Sequence, residues 1–189
     1  MIASKYQKAI YRSFLTTDEN INISAVAGSG KTTVLVHLLN FVKKSNSALF
    51  LAFNKSVVNE LKDRIKQREN VEVMTVHSYG WRCILSRYGS YAKISANKSL
   101  SKIERAMKLF PKVDENKKGW YFYIITQIVD LLRCNLLEPS SENIDKISEH
   151  YNLNVSSLDA KIARKVFELM NKDKRNFDFM DMIYQPIVD

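Results

Sequence analysis

The sequence predicts an α/β fold: a parallel sheet with flanking helices, followed by a helical insertion. Three observations carry that expectation. Apolar runs of strand length alternate with helical patterns three times in the first ninety residues. A glycine-rich turn ending in Gly30-Lys31-Thr32 sits at the first strand–helix junction. From about Trp81 to Asn176 no strand-like run is convincing, and helical stripes take over.

The elements follow in order. Residues 4–15 read as an amphipathic helix with Ser4 as N-cap and Ala9, Ile10, Phe14 and Leu15 on the buried face. Ile21, Ile23, Ala25 and Val26 suit a short buried strand. Gly28-Ser29-Gly30 then turns where side chains would block the backbone, and a helix runs from Lys31 through Phe41. Residues 48–53, Ala-Leu-Phe-Leu-Ala-Phe, fit a central parallel strand covered on both faces. Val57, Val58, Leu61 and Ile65 recur at helical spacing, with Lys62, Asp63, Arg64 and Lys66 outward. A third strand spans 71–76 and ends in His77-Ser78-Tyr79.

Beyond Trp81 the pattern is helical. Leu100, Ile103, Ala106, Met107, Leu109 and Phe110 form a stripe stopped by Pro111. Residues 112–119 form a charged turn, and 120–137 a long apolar helix broken at Pro139. Two further helices are expected over 141–151 and 157–170. The expected division is therefore 1–80 together with 177–189 as one domain, and 81–176 as the helical insertion.

The turn has the layout of a P-loop. Unpaired N–H groups at a helix start, together with the macrodipole, attract anions. Gly28 and Gly30 let those groups converge on phosphate oxygens as a nest. Lys31 neutralises phosphate charge and Thr32 offers a hydroxyl to Mg²⁺. Ala25 stands where the general pattern has glycine. Gln7 lies upstream, and a side-chain amide can pair with the N6 and N7 edge of adenine.

Composition bounds the remaining choices. Lys and Arg number 29 against 20 Asp and Glu, a net charge of +9 that favours a polyanionic partner. No apolar run approaches the ~20 residues that span a membrane. The first residues, Met1-Ile-Ala-Ser-Lys5, lack an apolar signal core, and Cys83 and Cys134 have no metal-type spacing. A cytoplasmic, intracellular protein with reduced thiols is expected.

Taken together, these residues resemble the N-terminal part of the UvrD/Rep-type superfamily 1 DNA helicases. Gln7 matches that family's Q motif, and Ala25-Val-Ala-Gly-Ser-Gly-Lys-Thr-Thr33 matches its motif I, alanine included. Phe50-Leu-Ala-Phe-Asn-Lys55 is similar to motif Ia and Thr75-Val-His-Ser78 to motif Ib. Phe177-Asp-Phe-Met-Asp-Met-Ile183 is similar to the segment leading back from the 1B insertion into the first RecA-like domain. The resemblance implies ATP and Mg²⁺ as cofactors, with Gln7, Ala27, Gly28, Ser29, Gly30, Lys31, Thr32 and Thr33 around the nucleotide. Lys31 and Thr32 would carry the catalytic roles. Phe53, Asn54, Lys55, Thr75, His77 and Tyr79 would line a path for single-stranded DNA, although Phe53 suits a sheet core equally well.

Two parts that the resemblance calls for are not found. No acidic Walker B strand is present: 124–130 is helical in spacing, and Asp189 follows a short run spoiled by Pro186. A second RecA-like domain is also missing, so a remaining C-terminal helicase portion is expected in the full-length protein. The chain alone is expected to bind ATP without unwinding DNA and to hydrolyse it negligibly. The alternatives are a small P-loop phosphotransferase, such as a nucleotide kinase, and a non-catalytic DNA-binding module.

Overall fold

The computed structural model describes residues 3–65 and 68–188. Lys66, expected to face outward, and Asp189 lie outside the described residues. The fold is mixed α/β, with nine α-helices and two short parallel sheets among the described residues. The chain divides into two compact units at Val76/His77. No helix among the described residues is long and apolar enough to cross a membrane.

The first unit opens with α1, Lys5–Thr16. Its start is a reciprocal capping box. The Gln7 N–H donates to Ser4 Oγ at 3.3 Å, and the Ser4 N–H donates to Gln7 Oε1 at 3.0 Å. The aliphatic face expected to be buried is not: Ala9 is exposed, Phe14 and Leu15 are 38% and 58% exposed, and Ile10 is half-buried. The packed face carries Tyr11, whose ring lies 4.8 Å from His37 and 5.9 Å from Phe41. A count of aliphatic residues does not see a face built on tyrosine.

The segment 21–26, expected as a strand, forms none. A strand exists only by exchanging backbone hydrogen bonds with a neighbour. The sheet contains β1, Ala48–Ala52, and β2, Val71–Thr75, and no described strand pairs beyond them. Those two run parallel in the register Ala48↔Val71 to Ala52↔Thr75.

Helix α2, Lys31–Leu38, gives way to a 3₁₀ turn over Leu39–Phe41, where the sequence predicted continuous α-helix. Helix α3, Lys55–Ile65, connects the strands and buries Val58, Leu61 and Ile65 against Ala52 and Val73. The expectation that β1 is covered on both faces fails, since Leu49 and Leu51 are 41% and 38% exposed. Helix α3 covers one face of this two-stranded sheet, and Leu49 and Leu51 on the other stay partly in solvent.

The second unit is built on α4, Val76–Tyr88; α5, Lys98–Met107; α6, Lys118–Cys134; α7, Ser141–His150; α8, Ser157–Lys172; and α9, Asp181–Val188. The core joins Ile103 and Ala106 of α5, Ile125, Ile128 and Leu132 of α6, Ile144 of α7, and Ile162 and Val166 of α8. Ser140 and Ser156 cap α7 and α8 with their hydroxyls, as serine does at a helix start. Between 90 and 170 one two-residue strand, β3 at Lys93–Ile94, interrupts the helices and turns. It pairs in parallel with β4, Asn176–Phe177. Residues 77–80 and 177–188, grouped from sequence with the first domain, cluster here with the second unit. Phe177, Met182 and Tyr184 are the buried anchors of that C-terminal segment.

A charge pair ties α5 to the end of α8. Burial pushes the Asp173 carboxyl up, but the Lys102 ammonium, both donors of Asn176 and the Arg175 N–H together hold it well below the usual carboxylate range. A depressed folded-state pKa contributes stability that is full above the unfolded value, ~3.9, and is lost as pH falls through the folded one. Thermal melting followed by circular dichroism from pH 7 to pH 2 should show midpoints falling as pH drops below about 4. Asp173→Asn should lower the midpoint at pH 7 and flatten that acid slope. An unchanged slope would contradict the role of this pair.

Candidate functional site

The glycine turn takes the backbone shape that its sequence demands. Gly28 and Gly30 have φ of 76° and 83°, in the left-handed region that L side chains rarely adopt. Gly30 is the N-cap of α2, and no side chain caps that helix. The first turn closes by Val34 N–H donating to the Gly30 carbonyl at 3.0 Å. Ala27, Gly28 and Ser29 are exposed along the loop, while Thr32 and Thr33 are half-buried in the first turn of α2.

Lys31 bends back over the loop. Its Nζ donates to the Ala25 carbonyl at 3.0 Å and to the Val26 carbonyl at 2.8 Å. An ammonium held at the mouth of an uncapped helix start makes a concentrated positive site. A cavity of about 330 Å³ opens here, and its lining includes Ser29 and Lys31 together with Ser4, Tyr6, Gln7 and Ile10. Its lining includes no carboxylate. Gln7 and the loop are close neighbours: a Cβ placed on Gly30 would lie 3.8 Å from Gln7 Nε2. Because Gln7 Oε1 accepts from Ser4 in the capping box, the amide sits with a fixed orientation.

This donor set fits a phosphate chain. It offers two left-handed glycines, an uncapped helix start, one ammonium and the hydroxyl of Thr32. Among the described residues no group of three His, Cys, Asp or Glu could hold a metal. Magnesium at such a site takes most of its ligands from phosphates and water, and Thr32 would contribute one oxygen.

The remaining predicted residues have plain structural surroundings. Phe53 is 85% exposed, which removes it from the sheet core. Asn54 caps α3, its Oδ1 accepting from the Val57 N–H at 2.9 Å. Lys55 is exposed as the first residue of that helix. Thr75 ends β2 opposite Ala52, so Phe53, Asn54, Lys55 and Thr75 share the C-terminal edge of the sheet, where ligands bind in open α/β folds. His77 and Tyr79 lie on the first turns of α4 rather than in a loop, and belong to the second unit. The His77 ring meets Phe179 at 5.9 Å, and Arg82 lies over the Tyr79 ring at 5.4 Å.

Sequence reasoning missed Tyr6, Ile10 and Ile23 as lining of the loop cavity. One signal was available for α1: the spacing Ser4-x-x-Gln7 is a capping box, which fixes where residues 6 and 7 project.

The family model described as the UvrD/REP helicase N-terminal domain matches residues 4–188. A search of the curated proteins returns no match.

Proposed function

From the premise that this chain belongs to the UvrD/REP helicase N-terminal domain family, we propose that its first unit binds ATP with Mg²⁺ and that the chain engages single-stranded DNA. The single observation that carries the nucleotide reading is Lys31 folded over a left-handed Gly28/Gly30 loop, with the Gln7 amide beside Gly30. Bound ATP supplies the phosphoanhydride whose cleavage a helicase couples to movement. In this reading Ala27, Gly28, Ser29, Gly30 and Thr33 cradle the phosphates, and Thr32 adds its hydroxyl to the metal. Lys31 exchanges its two carbonyl bonds for phosphate oxygens. Gln7 faces the base with its carbonyl already oriented by Ser4.

In this reading the first unit corresponds to part of a RecA-like 1A domain, and 81–176 to the 1B insertion. In this reading the chain alone binds ATP without appreciable hydrolysis. A cytoplasmic setting goes with the same reading. The phosphotransferase alternative is not favoured, because the family match covers nearly the whole chain.

Equilibrium titration with ATP and with GTP tests the base contact. Gln7→Ala should reduce the preference for ATP by several-fold. Gln7→Glu should reduce it as well, and that variant keeps the capping box because Ser-x-x-Glu forms the same reciprocal pair. If both variants retain the preference, the adenine assignment fails.

The DNA reading rests on the exposed Phe53 and Lys55 at the sheet edge and on the +9 charge. An exposed aromatic stacks bases without regard to sequence. Each phosphate neutralised releases counterions, so log affinity for a single strand should fall with log salt, by about 0.7 per contact. Fluorescence anisotropy across a salt series measures that slope, and Lys55→Ala should shallow it by about 0.7. A flat salt response would count against the assignment.

A further inference from the structure

The start of α1 presents two different kinds of group to the cavity over the glycine loop. Gln7 offers an amide, and Tyr6, one residue earlier, offers an aromatic ring. Tyr6 lines the cavity and is 72% exposed, so its ring is spent on no core. The helix does not need it for packing, because Tyr11 already holds α1 against His37 and Phe41.

The capping box fixes where both side chains leave the backbone. With Ser4 as N-cap, Tyr6 and Gln7 are the second and third residues of α1. Consecutive helix residues project about 100° apart. A planar base needs that division: one partner in its plane for its edge, and another across its face. Ile10 lies one turn on from Tyr6, on the same stripe of the helix, and it lines the cavity together with Ile23 and Val34. These side chains give a flat ring an apolar wall. Ser29 and Lys31 line the same cavity, so a molecule with a base and phosphates finds a partner for each part.

Lys5 Nζ stands 5.1 Å from the centroid of the Tyr6 ring. Lys5 does not line the cavity, so the ring meets the cation and the cavity with different parts of its surface. A cation held over an aromatic ring restrains it, and a restrained ring loses less freedom when a ligand stacks on it.

Resting on the nucleotide reading given above, we propose that Tyr6 is the base-stacking residue of the first unit, its ring lying on the face of the base whose edge Gln7 reads. The two residues then have separate effects. Stacking needs only a π face, and every base has one. Tyr6 therefore adds affinity for any nucleotide and leaves the choice among them to Gln7, whose amide pairs with one edge. The phosphates contact neither residue.

Calorimetric titration of the 189-residue chain with ATP, GTP and inorganic tripolyphosphate, each with Mg²⁺, tests this. Tyr6→Ala should weaken ATP and GTP by the same factor, about tenfold, and should leave tripolyphosphate unchanged. Tyr6→Phe keeps the ring and should bind all three ligands as the unaltered chain does. Alanine is a better helix former than tyrosine, so the circular dichroism of Tyr6→Ala should show α1 intact. If tripolyphosphate binds while Tyr6→Ala leaves the ATP and GTP affinities unchanged, the stack is overturned and the phosphate loop still stands. A loss confined to ATP would overturn it too, because Tyr6 would then be acting through its neighbour Gln7. A loss shared by tripolyphosphate would assign Tyr6 a structural role in place of a stacking one. Failure of all three ligands to bind the unaltered chain would remove the nucleotide reading itself, and the stack with it.

Discussion

Gly80→Ala is expected to cost the second unit about 3 kcal/mol or more of stability. A Cβ built on Gly80 lies 1.6 Å from the Met182 carbonyl oxygen and 2.6 Å from the Met182 carbonyl carbon. These are backbone atoms, so no side-chain rotation relieves the clash and α9 itself must move. That helix is not free to move cheaply. It carries Asp181, 1% exposed, whose carboxylate receives Lys98 Nζ at 2.7 Å and also the Arg133 guanidinium. It carries Tyr184 as well, with Arg133 over its ring at 5.1 Å. Separating a buried ion pair leaves charges uncompensated and typically costs ~3–5 kcal/mol. Alanine gains about 1 kcal/mol over glycine in helix propensity at α4, which does not offset this. Urea denaturation should show a midpoint far below that of the unaltered chain. A midpoint within error of it would mean that α9 does not pack on Gly80 as described.

Lys31→Ala should weaken triphosphate binding by about tenfold or more while leaving the fold intact. The free energy sought is the difference between phosphate contacts and the two carbonyl contacts that Lys31 makes to Ala25 and Val26. Hydrogen bonds with a charged partner contribute roughly 1.5–3 kcal/mol each, and charge on both sides strengthens them further. Exchanging neutral carbonyls for anionic oxygens therefore leaves a net gain, and each ~1.4 kcal/mol is tenfold in affinity. Lys31 is exposed and packs in no core, so its truncation removes charge rather than stability. Circular dichroism should be unchanged, which separates a lost contact from a lost structure.

The helical unit was legible because each helix carries its own signals. Ile103 and Ala106, Ile125 and Ile128, and Ile162 and Val166 repeat at helical spacing and meet in one core. Pro111 and Pro139 mark breaks that the structure keeps between α5 and α6 and between α6 and α7. The loop was legible for a comparable reason: glycine at 28 and 30 is needed only where φ is positive, and it is.

What stayed hidden depends on partners distant in sequence. Whether 21–26 becomes a strand is decided by a neighbour that no described residue provides, not by its own apolar pattern. The burial of Lys98 and Arg133 follows from Asp181, which lies 83 and 48 residues away, and charged residues read alone suggest a surface. Asp159 reads as an ordinary helix-start acid; only the fold shows that one of its oxygens is buried without a donor.

The central claim is that the turn around Gly28, Gly30 and Lys31 holds a triphosphate. Calorimetric titration of the 189-residue chain with inorganic tripolyphosphate and with ATP in the presence of Mg²⁺ tests it most directly, because the inorganic anion has no base to be read. The account predicts that both bind, that Lys31→Ala weakens both by a similar factor, and that Gln7→Ala weakens ATP alone. No heat with either ligand, or affinities that Lys31→Ala leaves unchanged, would contradict it.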